Sequence, residues 1–405
     1  MASATTAAPA RQRPGLLVGL AYAAFISLGL PDGLTGVAWP SIREGFGLPL
    51  SALGALATSS TIGYLLSSFS AGRLLARLGV GWLLTLSSLA SAVSLLGYGL
   101  APLWAVMVAL GLVAGLGAGA IDAGLNTYAA EEFSPRTMNW LHAAFGLGAA
   151  AGPLLMSAVI AAGLSLTGDA GDSWRTGYLI VGAALLLLTG CFALTRGEWV
   201  LRGDEGRAEA PPSAPMLQTL ALPTTWLCIV LFLLYTGLEF TAGQWLYSLL
   251  TEARGIEPTV AGMWVSAYWG SLTLGRVLSG VIVGWISVQR LLRLAMAGAL
   301  AGVALLWLNL TPWLALAGVA LLGFSLAPMF PSFMSLTPAR MGPQHAANTV
   351  GFQVAAAMLG GALFVGGFGM LAGRVGLEAL GPTLLVIATL LTAVFLRLER
   401  SPRAG

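Results

Sequence analysis

Thirteen residues from Gly72 and thirteen from Gly275 agree at six positions, 203 residues apart. Gly72-Arg73-Leu74-Leu75-Ala76 followed by Val80-Gly81-Trp82 returns as Gly275-Arg276-Val277-Leu278-Ser279 followed by Val283-Gly284-Trp285. The echo falls at the same place in each half of a chain made of successive apolar segments. Segments of about 20 residues are long enough to cross the hydrocarbon of a bilayer as helices. They are predicted at 16–42, 50–76, 80–101, 104–130, 138–164, 175–195, 222–251, 260–285, 290–309, 312–338, 346–373 and 378–397. Two matching sets of six membrane helices form bodies that can rock about a site between them. The expected fold is therefore all-α: twelve transmembrane helices in two pseudo-symmetric six-helix bundles.

Composition supports lipid as the solvent. Only 9% of residues are charged, against about 25% in soluble proteins, too few to cover a soluble chain of this length. The 54 glycines suit close helix contact within a bilayer. All 19 basic residues are arginine, and the formal charge of +3 comes without a basic, aromatic-interleaved face, so nucleic acid is not an expected partner. Cys191 and Cys228 both fall in apolar runs, which suggests neither a disulfide nor a metal site.

Residues 197–217 hold Glu198, Arg202, Asp204, Glu205, Arg207 and Glu209, then Pro211-Pro212-Ser213-Ala214-Pro215. This polar linker separates an N-terminal bundle, 16–196, from a C-terminal bundle, 218–398, with tails at 1–15 and 399–405. If both termini are cytoplasmic, fourteen arginines lie inside and only Arg43, Arg175, Arg254 and Arg374 outside. That asymmetry follows the positive-inside rule and places an integral protein in the cell (inner) membrane, expected to be monomeric.

The stretch Gly72-Arg73-Leu74-Leu75-Ala76-Arg77-Leu78-Gly79 resembles the loop motif of the major facilitator superfamily, with Ala76 where that motif has aspartate. Gly117 to Asn126 in the fourth span is similar to the fucose–proton symporter branch, which Asp32 in the first span also matches. Tyr235-Thr236-Gly237-Leu238-Glu239 to Trp245 looks like its sodium-coupled glucose transporter relatives. Gly323 to Pro331 resembles their bacterial cousins. The resemblance implies the major facilitator fold, a sugar-type solute and ion coupling. A cytoplasmic latch involving Arg73 and Arg77 is expected to lack its usual acidic partner.

An ionised side chain at the bilayer centre costs about 2.5–3.5 kcal/mol, so each survivor needs a reason. Asp32 sits in Gly29-Leu30-Pro31-Asp32-Gly33, where proline and glycine predict a bent or opened helix. At roughly 100° per residue, Gly111, Gly115, Gly119, Asp122 and Asn126 fall within about 80° of arc. Asp122 and Asn126 thus share a small-residue face that turns into protein, where a carboxyl could carry a proton reversibly. Glu239 is the expected counterpart of Asp32, binding solute, proton or, with Thr241 and Gln244, sodium. His142 is a further coupling candidate, though a lone helix histidine is more often a packing residue. Arg276, echoing Arg73, is expected to serve packing or a gate salt bridge. The ion-coupling set is thus Asp32, Asp122, Glu239 and His142, and the gating set Arg73, Arg77 and Arg276.

Hydroxyl-rich solutes are held by amides, carboxylates and indoles. The solute-binding candidates are Asn126, Gln244, Trp245, Gln353, Trp39, Trp269 and Asn348, with Trp264 also on a facing helix. No zinc-type cluster, phosphate-binding loop or serine nucleophile motif points to an enzyme, and no cofactor is expected beyond a coupling proton or sodium. The leading expectation is alternating-access transport of a small polar solute, a sugar. Its rival is proton-driven efflux of lipophilic compounds, which the Met and Phe content permits. A non-transporting sensor would need no coupling charges.

Overall fold

The computed structural model describes residues 14–166, 170–201, 214–282 and 285–401. Most of the tails 1–15 and 399–405, residues 202–213 of the linker, and Val283 and Gly284 of the echo lie outside the described residues. Among the described residues the chain is helical, with no strand. Its α-helices are α1 Pro14–Phe46, α2 Leu53–Leu100, α3 Trp104–Glu132, α4 Pro135–Ala161, α5 Ser173–Thr195, α6 Met216–Leu220, α7 Pro223–Ser248, α8 Pro258–Ile282, α9 Val288–Leu308, α10 Pro312–Leu326, α11 Met329–Val375 and α12 Leu380–Arg400. A backbone in lipid has no water to bond, so helix is the form that satisfies it.

Among the described residues nine helical runs are long and apolar enough to cross a bilayer, and two of them, of 51 and 64 residues, hold two crossings each. In α2 the chain reverses at Gly79, whose φ of 71° and ψ of 167° are not helical. Ser59 and Ser60 donate to Val108 and Gly111 of α3 at 2.7 and 3.1 Å, and Tyr64 reaches Asp122 further on. Beyond Gly79 the order inverts: Gly124 faces Leu83, Gly117 faces Ser87, and Ser94 donates to Leu110 at 2.6 Å. The two parts of α2 therefore run in opposite directions. Gly342 (φ 73°) turns α11 in the same way. Thr337 and Gln353 then exchange hydrogen bonds of 3.0 and 2.9 Å, although they would stand about 24 Å apart on a straight helix. With α8, these runs make twelve crossings, so both chain ends share one face, called near here; the opposite face is far.

Contacts repeat between the halves. Tyr64, Ser67 and Gly119 cluster as Tyr268, Ser271 and Gly323 do, and each corresponding pair is 204 positions apart. Gly148 packs on the Ile26 carbonyl as Gly360 packs on that of Leu233. Ile26 and Leu233 are 207 apart, as are Asp32 and Glu239, so the expected correspondence of those two acids is met in three dimensions.

The linker is shorter than the polar stretch suggests. Trp199 is 3% exposed, its ring 4.9 Å from Tyr128 and 5.5 Å from Phe192, so this end belongs to the N-terminal half. At the other end Asn348 donates to the Ala214 carbonyl at 2.7 Å and to Thr219 at 3.2 Å.

The halves meet toward the far face. Arg43 and Glu252 form an ion pair at 2.5 Å. Gly54 of α2 lies against Gly366 of α11, and Gly36 of α1 against Gln244 of α7. Ser266 donates to the Ala150 carbonyl at 2.8 Å between α8 and α4. Glu252 sits in a π-helical turn, Leu249–Ala253, that extends α7. Glu257 accepts from the Thr259 and Val260 amides that open α8, at 2.9 and 3.0 Å, and these donors hold its carboxyl below the usual range.

Gly115 lets α3 touch α2, because a Cβ there would collide with the Ser60 carbonyl. Gly115→Val should therefore lower the thermal unfolding midpoint in detergent, at a cost of about 1–3 kcal/mol. Gly367→Ala, where nothing lies within 4 Å, should leave the midpoint unchanged or raised.

Candidate functional site

A cavity of about 350 Å³ lies between the halves, below the far-face contacts. From the N-terminal half it is lined by Ser27, Asp32 and Thr35 of α1, Ser60, Thr61, Tyr64, Ser91 and Tyr98 of α2, and Asp122 of α3. The C-terminal half contributes Phe240 and Gln244 of α7, and Ala357, Met358, Gly361, Ala362 and Val365 of α11. The hydroxyls and both carboxylates of the lining thus come from the N-terminal half, beside its own Leu28, Leu53, Leu56, Leu95, Phe145 and Leu185, and the other wall, Gln244 apart, is apolar.

The two acids of the polar wall are held differently. Asp122 accepts from Tyr64 Oη at 2.5 Å and from Asn126 Nδ2 at 2.9 Å, so each carboxylate oxygen has a donor. Gly115 and Gly119, on its own face of α3, admit α2 and thereby Tyr64. Asn126 serves the carboxylate and does not itself line the cavity. Asp32 faces the cavity with a partly exposed side chain and no hydrogen-bond donor among the described residues. The expected opening of α1 at Pro31-Asp32-Gly33 does not occur, since α1 stays helical from Pro14 to Phe46. Gly33 instead gives room to Ala149 and Pro153 of α4. Gln244 Nε2 donates to the Asp32 carbonyl across the halves at 2.9 Å, leaving Gln244 Oε1 buried without a partner.

Glu239 is 3% exposed and does not line the cavity. It pairs with Arg276 Nη2 at 3.4 Å, and its backbone carbonyl accepts from Tyr268 Oη at 2.8 Å. Arg276 therefore neutralises a buried acid within its own half. His142 is exposed on α4, edge-on to Phe25 at 5.4 Å and off the cavity lining. Arg73 and Arg77 are exposed at the near end of the second span, before Gly79.

The remaining solute-binding candidates lie outside the lining. Trp39, Trp245 and Trp269 are at most 1% exposed. Trp245 Nε1 donates to the Val365 carbonyl at 3.0 Å, Trp39 packs on Trp104 at 5.8 Å, and Trp269 packs on Phe240 at 6.0 Å. Each indole offers about 150–250 Å² to bury, and here that surface fills helix junctions. Gln353 is spent on Thr337, and Asn348 ties down the linker. Tyr64, and the far-face pair Arg43–Glu252, were not among the sequence candidates. Tyr64 stands one repeat from Tyr268, a spacing that could have drawn notice. The ion pair joins residues 209 positions apart and leaves no sequence signal.

Over 97% of this chain and 98% of the other, it superposes at 14% identity and TM-score 0.76 on a bacterial homologue of the human lysosomal transporter Spinster in an inward-facing, occupied conformation. The proton:xylose symporter XylE, bound to 6-bromo-6-deoxy-D-glucose, matches over 95% of both chains at 15% identity and TM-score 0.73. The transporter FucP in its outward conformation matches over 95% and 98% at 15% identity and TM-score 0.63. A segment of 81 residues is 28% identical to Bypass of stop codon protein 6 of Saccharomyces cerevisiae, spanning 20% of this chain and 16% of that protein. Identities this low between solved structures establish a common fold. The Major Facilitator Superfamily profile matches residues 21–365, and the chain belongs to that superfamily: it is a membrane transporter and not an enzyme.

Proposed function

We propose that this chain is a proton-coupled secondary transporter of the cytoplasmic membrane, working by alternating access. The observation that carries this reading is the pair Asp32 and Asp122, facing one cavity between two halves joined toward the far face. Arginines crowd the near face, which supports a cytoplasmic location for both chain ends and an inward-open state. Protonation of Asp122 would remove its acceptor strength toward Tyr64 and Asn126, and so loosen α2 from α3 where both line the cavity. Rocking of the halves then turns the site, with the solute or proton it holds, to the other face. Sodium is the less supported coupling ion, because Glu239, its proposed ligand beside Thr241 and Gln244, is paired with Arg276.

The walls favour a solute with a polar head and an apolar body, the lipophilic-compound reading. The polar wall of the N-terminal half would take the head, and Phe240, Met358 and Val365 the body. A sugar is the second reading. It is supported by the likeness to XylE and FucP, by the resemblance to the fucose–proton symporter branch, and by the hydroxyls of Ser27, Thr35 and Thr61.

Asp122→Asn should abolish solute accumulation driven by a pH gradient in proteoliposomes while sparing solute exchange. Undiminished accumulation would overturn the coupling role. Glu252→Gln should raise labelling of a Thr61→Cys reporter by a membrane-impermeant maleimide from the far face, in a Cys191→Ser background. The charge-swapped pair Arg43→Glu with Glu252→Arg should bring labelling back toward the parent level, and labelling indifferent to all three changes would remove the ion pair from the gate.

A further inference from the structure

The polar wall of the cavity offers acceptors and has spent most of its donors. Ser27 donates to the Ala24 carbonyl at 2.7 Å, Thr35 to the Pro31 carbonyl at 2.8 Å, and Ser60 to the Gly111 carbonyl at 3.1 Å. Tyr64 donates to Asp122, and Gln244 Nε2 to the Asp32 carbonyl. The hydroxyls of Thr61 and Ser91 and the second Nε2 hydrogen of Gln244 remain as donors on the lining, while Tyr98 is hydrogen-bonded with the side chains of Ser60 and Ser94. No arginine or histidine lines the cavity among the described residues, and the chain has no lysine. Against this stand two carboxylates. One of them, Asp32, receives no donor among the described residues. Beside it, Gln244 Oε1 is a buried amide oxygen with nothing to accept.

Each hydroxyl of a neutral polyol carries one donor and two acceptor lone pairs, so its acceptors would outnumber the donors of this lining, and a buried acceptor left unpaired costs about 1–3 kcal/mol. A head that carries donors alone would not suffer this. We infer that the cavity takes a monocationic amphiphile, an ammonium head on an apolar body, with Asp32 as its counter-ion and Gln244 Oε1 as a second acceptor. The body lies on Phe240, Met358, Ala362 and Val365 of the opposite half. The inference rests on the transport reading above and narrows its solute class. It also sets the sense of coupling. Where the empty cavity holds Asp32 as the neutral carboxyl, the ammonium displaces that proton to solvent, so one proton leaves for each cation bound, and the two are exchanged across the membrane.

The test uses the full chain in lipid nanodiscs and two probes that differ only in the head: 4-phenylbutylamine, cationic at pH 7, and 4-phenylbutanol, neutral. D-xylose and D-glucose complete the panel. The amine should bind at least about tenfold more tightly than the alcohol, and Asp32→Asn should bring the two to parity. Titration in buffers of different ionisation enthalpy should report a proton released on amine binding and none on alcohol binding. Gln244→Leu should weaken the amine more than the alcohol. Equal affinity for both probes, a hexose bound more tightly than the amine, or a preference for the amine that survives Asp32→Asn would each overturn the inference. Proteoliposomes separate this from the underlying reading. Flux of a hexose or the alcohol driven by a pH gradient, with no preference for the amine, refutes the cation alone. If no probe moves under such a gradient, although the parent binds one of them, the transport reading fails with it.

Discussion

Carboxylates held inside lipid-thickness helices are the constraint that shapes this molecule. A lone charge in such a place must find donors, a counter-ion or water. Asp122 finds donors in Tyr64 and Asn126, which requires α2 and α3 to run in contact, and that contact requires glycine at 115 and 119. Glu239 finds a counter-ion in Arg276. Asp32, which lines the cavity together with Asp122, has no donor among the described residues and is available to whatever enters. Helix packing, the site and its vacant acceptor thus follow from one electrostatic requirement met in three ways.

The repeat makes the inequality of the halves visible. Tyr64 and Tyr268 are counterparts, yet one binds a carboxylate across to α3 and the other a backbone carbonyl on α7. The position of Asp122 is taken by Leu326 in the second half, and that of Asp32 by Glu239. Chemistry has therefore gathered on one bundle, and a smooth apolar face on the other. A duplicated scaffold supplies matched shapes for rocking, whereas function here uses the differences between them.

Much of the fold was legible in the sequence. Twelve spans, two halves and the acids Asp32 and Asp122 stand out because charge is conspicuous in apolar runs. Which of the tryptophans and amides face the cavity was not legible. In a bilayer both the lipid side and the packed side of a helix are apolar, so periodicity does not mark the inward face. Trp39, Trp245 and Trp269 look alike in sequence to residues that would stack on a solute, and only packing shows that they fill helix junctions. Arg43 and Glu252 were hidden for another reason, since their contact depends on how one bundle leans on the other. Pro31 suggested a bent or opened α1, and the helix does not open there but runs on from Pro14 to Phe46.

The anchoring of both linker ends has a mechanical meaning. Trp199 is built into the first bundle and Ala214 is bound to the second by Asn348. The leash between these moorings spans fewer than fifteen residues, with a maximum reach of roughly 50 Å when drawn out. Such a tether keeps the bundles on one chain, paired after synthesis.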